Sequence, residues 1–315
     1  MENNLELVRE QIKLFVQDCG YTKANELLRF VSSGKMLRSK LLLYIISNKL
    51  EQFSLSRAIK LCAIIEMIHL SSLLHDDVID ESDTRRGKPS INALFDNKTA
   101  IMFGDILYSK AFFELNAFST IISQTISNAV IRLSVGELQD VELSKIFNTS
   151  KSDYLEMIYN KTASLIEASA TVAILLVQED DSNIDQEIVD NYKLYGKNLG
   201  LAFQMVDDIL DIVSDEDTLG KPALLDFVEG KVTIPYLILH DRLDEDDKSA
   251  LKSLYKKELE DEDKIWLKER FEATSSIKDA LKEAQLLGQE ALKALKNEQN
   301  EKLESIMTQM IQREF

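Results

Sequence analysis

The sequence predicts an all-α protein, and three observations carry the prediction. Apolar residues recur at three- and four-residue spacing through most of the 315 residues, and no stretch of useful length alternates with period two. Only 10 Gly and 3 Pro interrupt the chain, so turns are few and helices long. Hydrophobic residues make up 45%, enough for a sizeable core. No linker, low-complexity segment or clear repeat divides the chain, so residues 1–315 read as a single-domain helical bundle.

Each helix rests on its own periodicity. Asn3–Asp18 places Leu5, Val8, Ile12 and Phe15 on one face, and Lys23–Val31 does the same with Ala24, Leu27 and Val31. Leu37–Lys49 repeats through Leu41 and Ile45, and Leu55–Asp80 through Ala58, Cys62, Ile65 and Ile68. Ala100–Ala117 follows with Phe103, Leu107 and Ala111, then Ile121–Leu143 with Ile122, Ile126 and Ala129. Ser152–Val177 becomes apolar on nearly all sides from Ala168, which marks a central helix. Gln186–Asp215, Val232–Leu243 and Asp247–Leu259 complete the periodic segments. Glu260 to Asn300 is charge-rich with Leu at helical intervals and reads as a solvated outer helix pair.

The net charge of −17 argues against nucleic acid or an anionic membrane surface as partner. Cys19 and Cys62 are isolated, as expected in a reducing cytoplasm. The first ten residues lack an apolar signal core, and the longest apolar-leaning run, Ala168 to Val177, is too short to cross a bilayer. The expectation is a cytoplasmic protein without a transmembrane segment.

Two aspartate pentads carry the chemistry: Asp76-Asp77-Val78-Ile79-Asp80 and Asp207-Asp208-Ile209-Leu210-Asp211. Each lies in an apolar helical stretch, where Asp76 with Asp80, and Asp207 with Asp211, point the same way. Carboxylates at an apolar face are costly unless a cation meets them. The pentads offer carboxylates alone, with no His or Cys within them, and so suit Mg²⁺, which shares its shell with water and phosphate oxygens. Asp180-Asp181 and Asp246-Asp247 serve as internal controls, for neither has an apolar flank or a third Asp at helical spacing. Two acidic clamps facing each other across a bundle thus suggest a diphosphate held by magnesium.

The flanks suit an anion. Arg85-Arg86-Gly87 follows the first pentad, and guanidinium donors fit diphosphate oxygens. After the second come Gly220-Lys221-Pro222 and Glu229-Gly230-Lys231, whose ammonium groups can neutralise a leaving group. Gln204, Asp208 and Asp211 share one face, with Asp215 one turn on. All three prolines, Pro89, Pro222 and Pro235, lie downstream of a pentad, which concentrates irregular backbone beside the site. Gly34-Lys35-Met36-Leu37-Arg38 and Lys161-Thr162 are weak motifs alone, and His69, two turns before Asp76, is on its own more often a core residue.

Together these residues resemble the trans-prenyltransferases, the polyprenyl diphosphate synthases. GKxxR, HxxxxxHDDxxDxxxxRRG, KT, FQxxDDxxD, GKP and DFxEGK occur in family order between Gly34 and Pro235. The resemblance implies a helical bundle around a deep cavity, usually a homodimer, that condenses an allylic diphosphate with isopentenyl diphosphate. It implies two or three Mg²⁺ ions held by Asp76, Asp80, Asp207 and Asp211, with Asp77 and Asp208 in support. Arg85, Lys161, Thr162, Gln204, Lys221 and Lys231 become allylic-diphosphate contacts, with Lys161 and Lys221 also catalytic. Lys35, Arg38, His69 and Arg86 become the metal-free isopentenyl-diphosphate pocket. The chain departs from the family at Met36 and Ser39, where a basic residue and a proline are common, and at Leu224, where Gly is common.

In short-chain relatives bulky aromatics often block the tunnel just before the first pentad; here Ser71 and Ser72 stand there. The implied product is a medium or long chain, roughly C30–C45, with Phe112 or Phe113 as a possible floor. The alternatives are a farnesyl or geranylgeranyl diphosphate synthase, a class I terpene cyclase, and a non-catalytic subunit of a heteromeric synthase. The cyclase normally lacks a second pentad with trailing Gly-Lys pairs, and such subunits tend to lose pentads.

Overall fold

Short polar side chains start several helices by accepting hydrogen bonds from otherwise unpaired backbone N–H groups. In the computed structural model, Asp96 accepts from Thr99 N at 2.7 Å and Asp244 from Asp247 N at 2.9 Å. Glu260 and Asp263 form a reciprocal capping box. The structure describes residues 1–32, 34–47, 55–178, 184–213, 223–298 and 300–311.

The chain forms two compact units, Met1–Val130 with Ala168–Lys193, and Ile131–Glu167 with Leu194–Phe315. The first contains α1 (Glu2–Gln17), α2 (Thr22–Leu28), α3 (Leu37–Ser47), α4 (Leu55–Ile79), α5 (Ile91–Leu94) and α6 (Asn97–Leu115). At its centre α4 packs against α1, α3 and α6. Every residue from 61 to 68 on α4 is buried, because its sequence is apolar on all sides save Glu66. Three further helices, α7 (Thr120–Leu143), α9 (Ser164–Val177) and α10 (Gln186–Val213), supply residues to both units.

The second unit adds α8 (Lys151–Ile158), α11 (Leu225–Val228), α12 (Ile234–Arg242), α13 (Glu245–Leu254), α14 (Asp261–Thr274), α15 (Ser276–Ala294) and α16 (Glu301–Ile311). Its aromatic core stacks Phe227 on Tyr236, with centroids 4.4 Å apart, and sets Phe271 edge-on to Tyr236 at 5.0 Å. The C-terminal helix pair is less solvated than its charge suggests. α14 buries Leu267 and Phe271, and α15 packs a stripe of Ala280, Ala284, Gly288 and Ala291 inward.

The all-α reading holds. Among the described residues the one strand pairing is a two-residue antiparallel ladder, Thr84–Arg85 with Lys88–Pro89. The helix expected over Ser152–Val177 divides into α8, a π turn at Tyr159–Ala163, and α9. Periodicity does not reveal this turn, since the residues that follow it are apolar on nearly all sides and carry no phase for the extra residue to shift. Its backbone lies hard against α7: a Cβ on Gly136 would meet Lys161 N at 2.2 Å. From Ser164 to Leu176 every residue is buried, as the central-helix reading requires. Leu55–Ile79 and the continuous Lys151–Val177 are long and apolar enough to cross a membrane, yet 78% of each apolar window is buried in the fold. The longest apolar element is therefore longer than the run Ala168–Val177 suggested.

Candidate active site

The first pentad ends α4. Asp77 is buried and turned inward, where its Oδ1 accepts from Arg85 Nε at 2.6 Å. Burial raises its pKa, and the Arg85 charge opposes the rise. Asp76 is half-buried and Asp80 exposed, one helical turn apart. The ladder then reverses the chain through Arg86 and Gly87, at φ of 54° and 70°, as a two-residue hairpin turn of the primed type requires. This turn holds Arg85 and Arg86 beside the end of α4. Asn92 ties it down, donating to the carbonyls of Asp77 and Ser82 at 3.2 and 3.0 Å.

Arg86 reaches back to the loop before α3, where its Nη1 donates to Ser32 O at 3.0 Å. Gly34 makes room for it. Its φ is +56°, and a Cβ there would lie 2.1 Å from Arg86 Nη1. Lys35 follows on that loop, exposed, and Arg38 lies on the first turn of α3. The Arg38 Nε is buried with no hydrogen-bond partner among the described residues. Burial, with Arg86 nearby and despite Glu66, lowers the Arg38 pKa to about 10. His69 is held neutral: burial and the charges of Arg38, Arg86 and Arg85 push its pKa well below the usual imidazole value. Arg38, His69, Arg85 and Arg86 are thus brought together in one unit.

Glu66 beneath them was not expected. Its Oε1 accepts from Ser39 N and Oγ at 3.1 and 2.8 Å. A proline at 39 could not make the first of these bonds. A lone acid within Ile64-Ile65-Glu66-Met67-Ile68 was the available sign of it.

The second pentad lies on α10, in the other unit. Asp207 is exposed, whereas Asp208 and Asp211 are buried. The face shared by Gln204, Asp208 and Asp211 therefore turns inward. Asp211 Oδ2 accepts from Asp226 N at 3.2 Å, and its carbonyl accepts from Leu224 N at 2.8 Å, which ties the start of α11 to α10. Leu224 is left-handed, at φ 62°, a conformation that glycine adopts at less cost. Asp208 accepts from Gln204 Nε2 at 2.9 Å and from the Tyr154 hydroxyl at 2.5 Å. Burial, then the charge of Asp226, raises the Asp208 pKa well above the carboxylate range. Gln204 Oε1 in turn accepts from Thr162 Oγ1 at 2.8 Å.

Thr162 and Lys161 stand on the π turn, an irregularity common at functional sites. Lys161 Nζ lies 2.5 Å from Asp140 Oδ2 and 2.9 Å from Glu137 Oε2, both on α7. Lys231 donates to Glu229 at 2.7 Å and is anchored through its N–H to Asp226 O. Lys221, with Gly220, Pro222 and Asp215, lies outside the described residues. Tyr154, Glu137, Asp140 and Asp226 were not singled out as site residues. Only Asp226 sat in a quoted motif; the others are joined by tertiary contact.

Among the described residues no three His, Cys, Asp or Glu side chains converge as a dedicated metal cage. Each pentad offers carboxylate oxygens at helical spacing. Such a donor set fits Mg²⁺ sharing its shell with water and phosphate oxygens.

The model of the polyprenyl synthetase family matches residues 24–273. The chain belongs to that family. A prenyl transferase from Synechocystis is 39% identical over 215 residues, a match covering 68% of this chain and 65% of the relative's length. A short chain isoprenyl diphosphate synthase from Methanocaldococcus jannaschii is 33% identical over 79% of this chain and 76% of its own. The crystal structure of octaprenyl pyrophosphate synthase from Helicobacter pylori superposes with a TM-score of 0.91 at 42% identity, covering 99% of each chain. This family member is therefore similar to makers of both short and long chains.

Proposed function

We propose that this polyprenyl synthetase family member condenses isopentenyl diphosphate head-to-tail with an allylic diphosphate, in a magnesium-dependent reaction that releases pyrophosphate. The observation that carries the reading is the arginine cluster. The charges of three guanidinium groups act on His69 and hold it neutral in a chain of net charge −17, and one of them, Arg38, has a buried N–H with no partner among the described residues. Such a site suits a multiply charged anion.

In this reading Asp76, Asp80, Asp207 and Asp211 hold Mg²⁺, which as a Lewis acid would help the pyrophosphate depart. Arg85, Lys161, Thr162, Gln204, Lys221 and Lys231 bind the allylic diphosphate, and Lys161 and Lys221 neutralise charge as it develops. Lys35, Arg38, His69 and Arg86 bind isopentenyl diphosphate, with His69 as a neutral hydrogen-bonding group. No side-chain nucleophile is required: the isopentenyl double bond attacks the allylic carbon, and a proton is lost from the adduct.

The product is proposed to be a medium or long chain, roughly C30–C45. Ser72, whose Oγ bonds its own helix at His69 O, puts a small side chain on the turn beneath Asp76, where an aromatic one would fill more space. Likeness to the octaprenyl synthase supports this, and likeness to the short chain synthase keeps the short product as the alternative. The working form is proposed to be a cytoplasmic homodimer. An exposed apolar stripe on α7, Ile131, Val135, Leu138 and Val141, is offered to a second copy of the chain.

The test is to incubate the purified chain with radiolabelled isopentenyl diphosphate, farnesyl diphosphate and Mg²⁺, and to resolve the products by chromatography. Elongation that stops with EDTA is expected. Activity that survives thorough chelation refutes the magnesium assignment, and no elongation refutes the reaction.

A further inference from the structure

The geometry points to Tyr154 as a positioning residue: its hydroxyl pins the Asp208 carboxylate, which fixes the Gln204 amide so that Thr162 offers its lone pairs to the reacting centre. The inference rests on the proposed reaction and deepens it. Tyr154 lies on α8, 1% exposed, in the core of its unit. A buried phenol needs a hydrogen-bond partner. This one donates to Asp208 Oδ2 at 2.5 Å, a short bond that holds the two side chains in one geometry.

The direction of every bond follows from that contact. Asp208 has both oxygens engaged, Oδ2 by Tyr154 and Oδ1 by Gln204 Nε2 at 2.9 Å, so the carboxylate cannot turn. Only the nitrogen of the Gln204 amide can donate, so its oxygen faces the other way. There it meets Thr162 Oγ1 at 2.8 Å, and an amide oxygen can only accept. The one hydroxyl proton of Thr162 is committed to Gln204. Its remaining lone pairs can then stabilise positive charge as the allylic C–O bond ionises, which a donated proton would oppose. Without the Tyr154 hydroxyl, Asp208 can rotate, the amide can flip, and the proton on Thr162 loses its fixed direction.

The experiment is a double-mutant cycle on kcat in the full chain, run where circular dichroism shows every variant folded. Tyr154→Phe keeps the ring and should leave KM for both substrates within about twofold while lowering kcat about 10- to 100-fold. Thr162→Val removes the group through which Tyr154 acts. In that background Tyr154→Phe should lower kcat by less than about twofold. Gln204→Met reads the same coupling should Tyr154→Phe not fold, and it too should add little to Thr162→Val. Additive losses, or an unchanged kcat with only a lower Tm, overturn the positioning role and leave the reaction standing. A wild-type chain that fails to elongate an allylic diphosphate overturns both.

Discussion

Replacing Gly34 with alanine tests whether the loop before α3 exists to seat Arg86. The new Cβ would lie 2.1 Å from Arg86 Nη1 and 2.4 Å from its Cζ. Ordinary contact needs about 3.4 Å, so the guanidinium must move by more than an ångström and give up its 3.0 Å bond to Ser32 O. At φ +56° a residue with a Cβ costs about 1–2 kcal/mol more than glycine. The stiffer unfolded chain returns roughly 0.5 kcal/mol of that. The lost bond adds about 1 kcal/mol after discounting for the exposure of Arg86. The sum is about 2 kcal/mol, or roughly a 30-fold rise in KM for isopentenyl diphosphate if it is all expressed at the pocket. The assay is steady-state kinetics at saturating allylic diphosphate, with kcat expected to change less than about threefold. In an Arg86→Ala background only the backbone cost remains, so the coupling should be about 1 kcal/mol. Equal costs in both backgrounds would show that glycine is needed for its φ alone. An unchanged KM in a folded variant would remove Arg86 from the isopentenyl pocket.

Asp76→Ala and Asp207→Ala should each lower kcat by about a hundredfold or more, because in the proposed reaction each would weaken metal-assisted departure of the diphosphate. Single-turnover rates check this, and a loss confined to KM would contradict it. His69 has a folded pKa below its unfolded value of about 6.5. Its contribution to stability is therefore complete above pH 6.5 and declines as pH falls from there towards the folded pKa. His69→Gln should lose less stability than wild type between pH 7.5 and 5 in urea titrations, and parallel losses would contradict the shift. Ser71 and Ser72 should respond differently to phenylalanine. Ser71 is fully buried and donates to Gly104 O at 2.7 Å, so Ser71→Phe should destabilise by about 2–4 kcal/mol through overpacking and the loss of this buried bond. Ser72→Phe should instead shorten the product towards farnesyl or geranylgeranyl diphosphate, as read by mass spectrometry. An unaltered product from a folded Ser72→Phe enzyme would place the tail elsewhere.

The sequence by itself determined the all-α class and most helices, because a 3.6-residue period with few Gly and Pro admits no other regular packing. It also determined the pentads and their cationic neighbours, since residue type and helical spacing are properties of the chain alone. Tertiary structure decided what each residue of a motif does. Within one pentad Asp207 faces solvent while Asp208 and Asp211 point inward, which depends on which side of α10 the core occupies. The two adjacent serines parted likewise, Ser71 being claimed by α6. The π turn under Lys161 and the hairpin under Arg86 are too short to show a period, and each needed a partner elsewhere, Gly136 or Gly34, to leave room. Glu66 and Tyr154 joined the candidate site only when folding buried their polar groups, since a buried carboxylate or phenol must find partners and so orders the side chains around it.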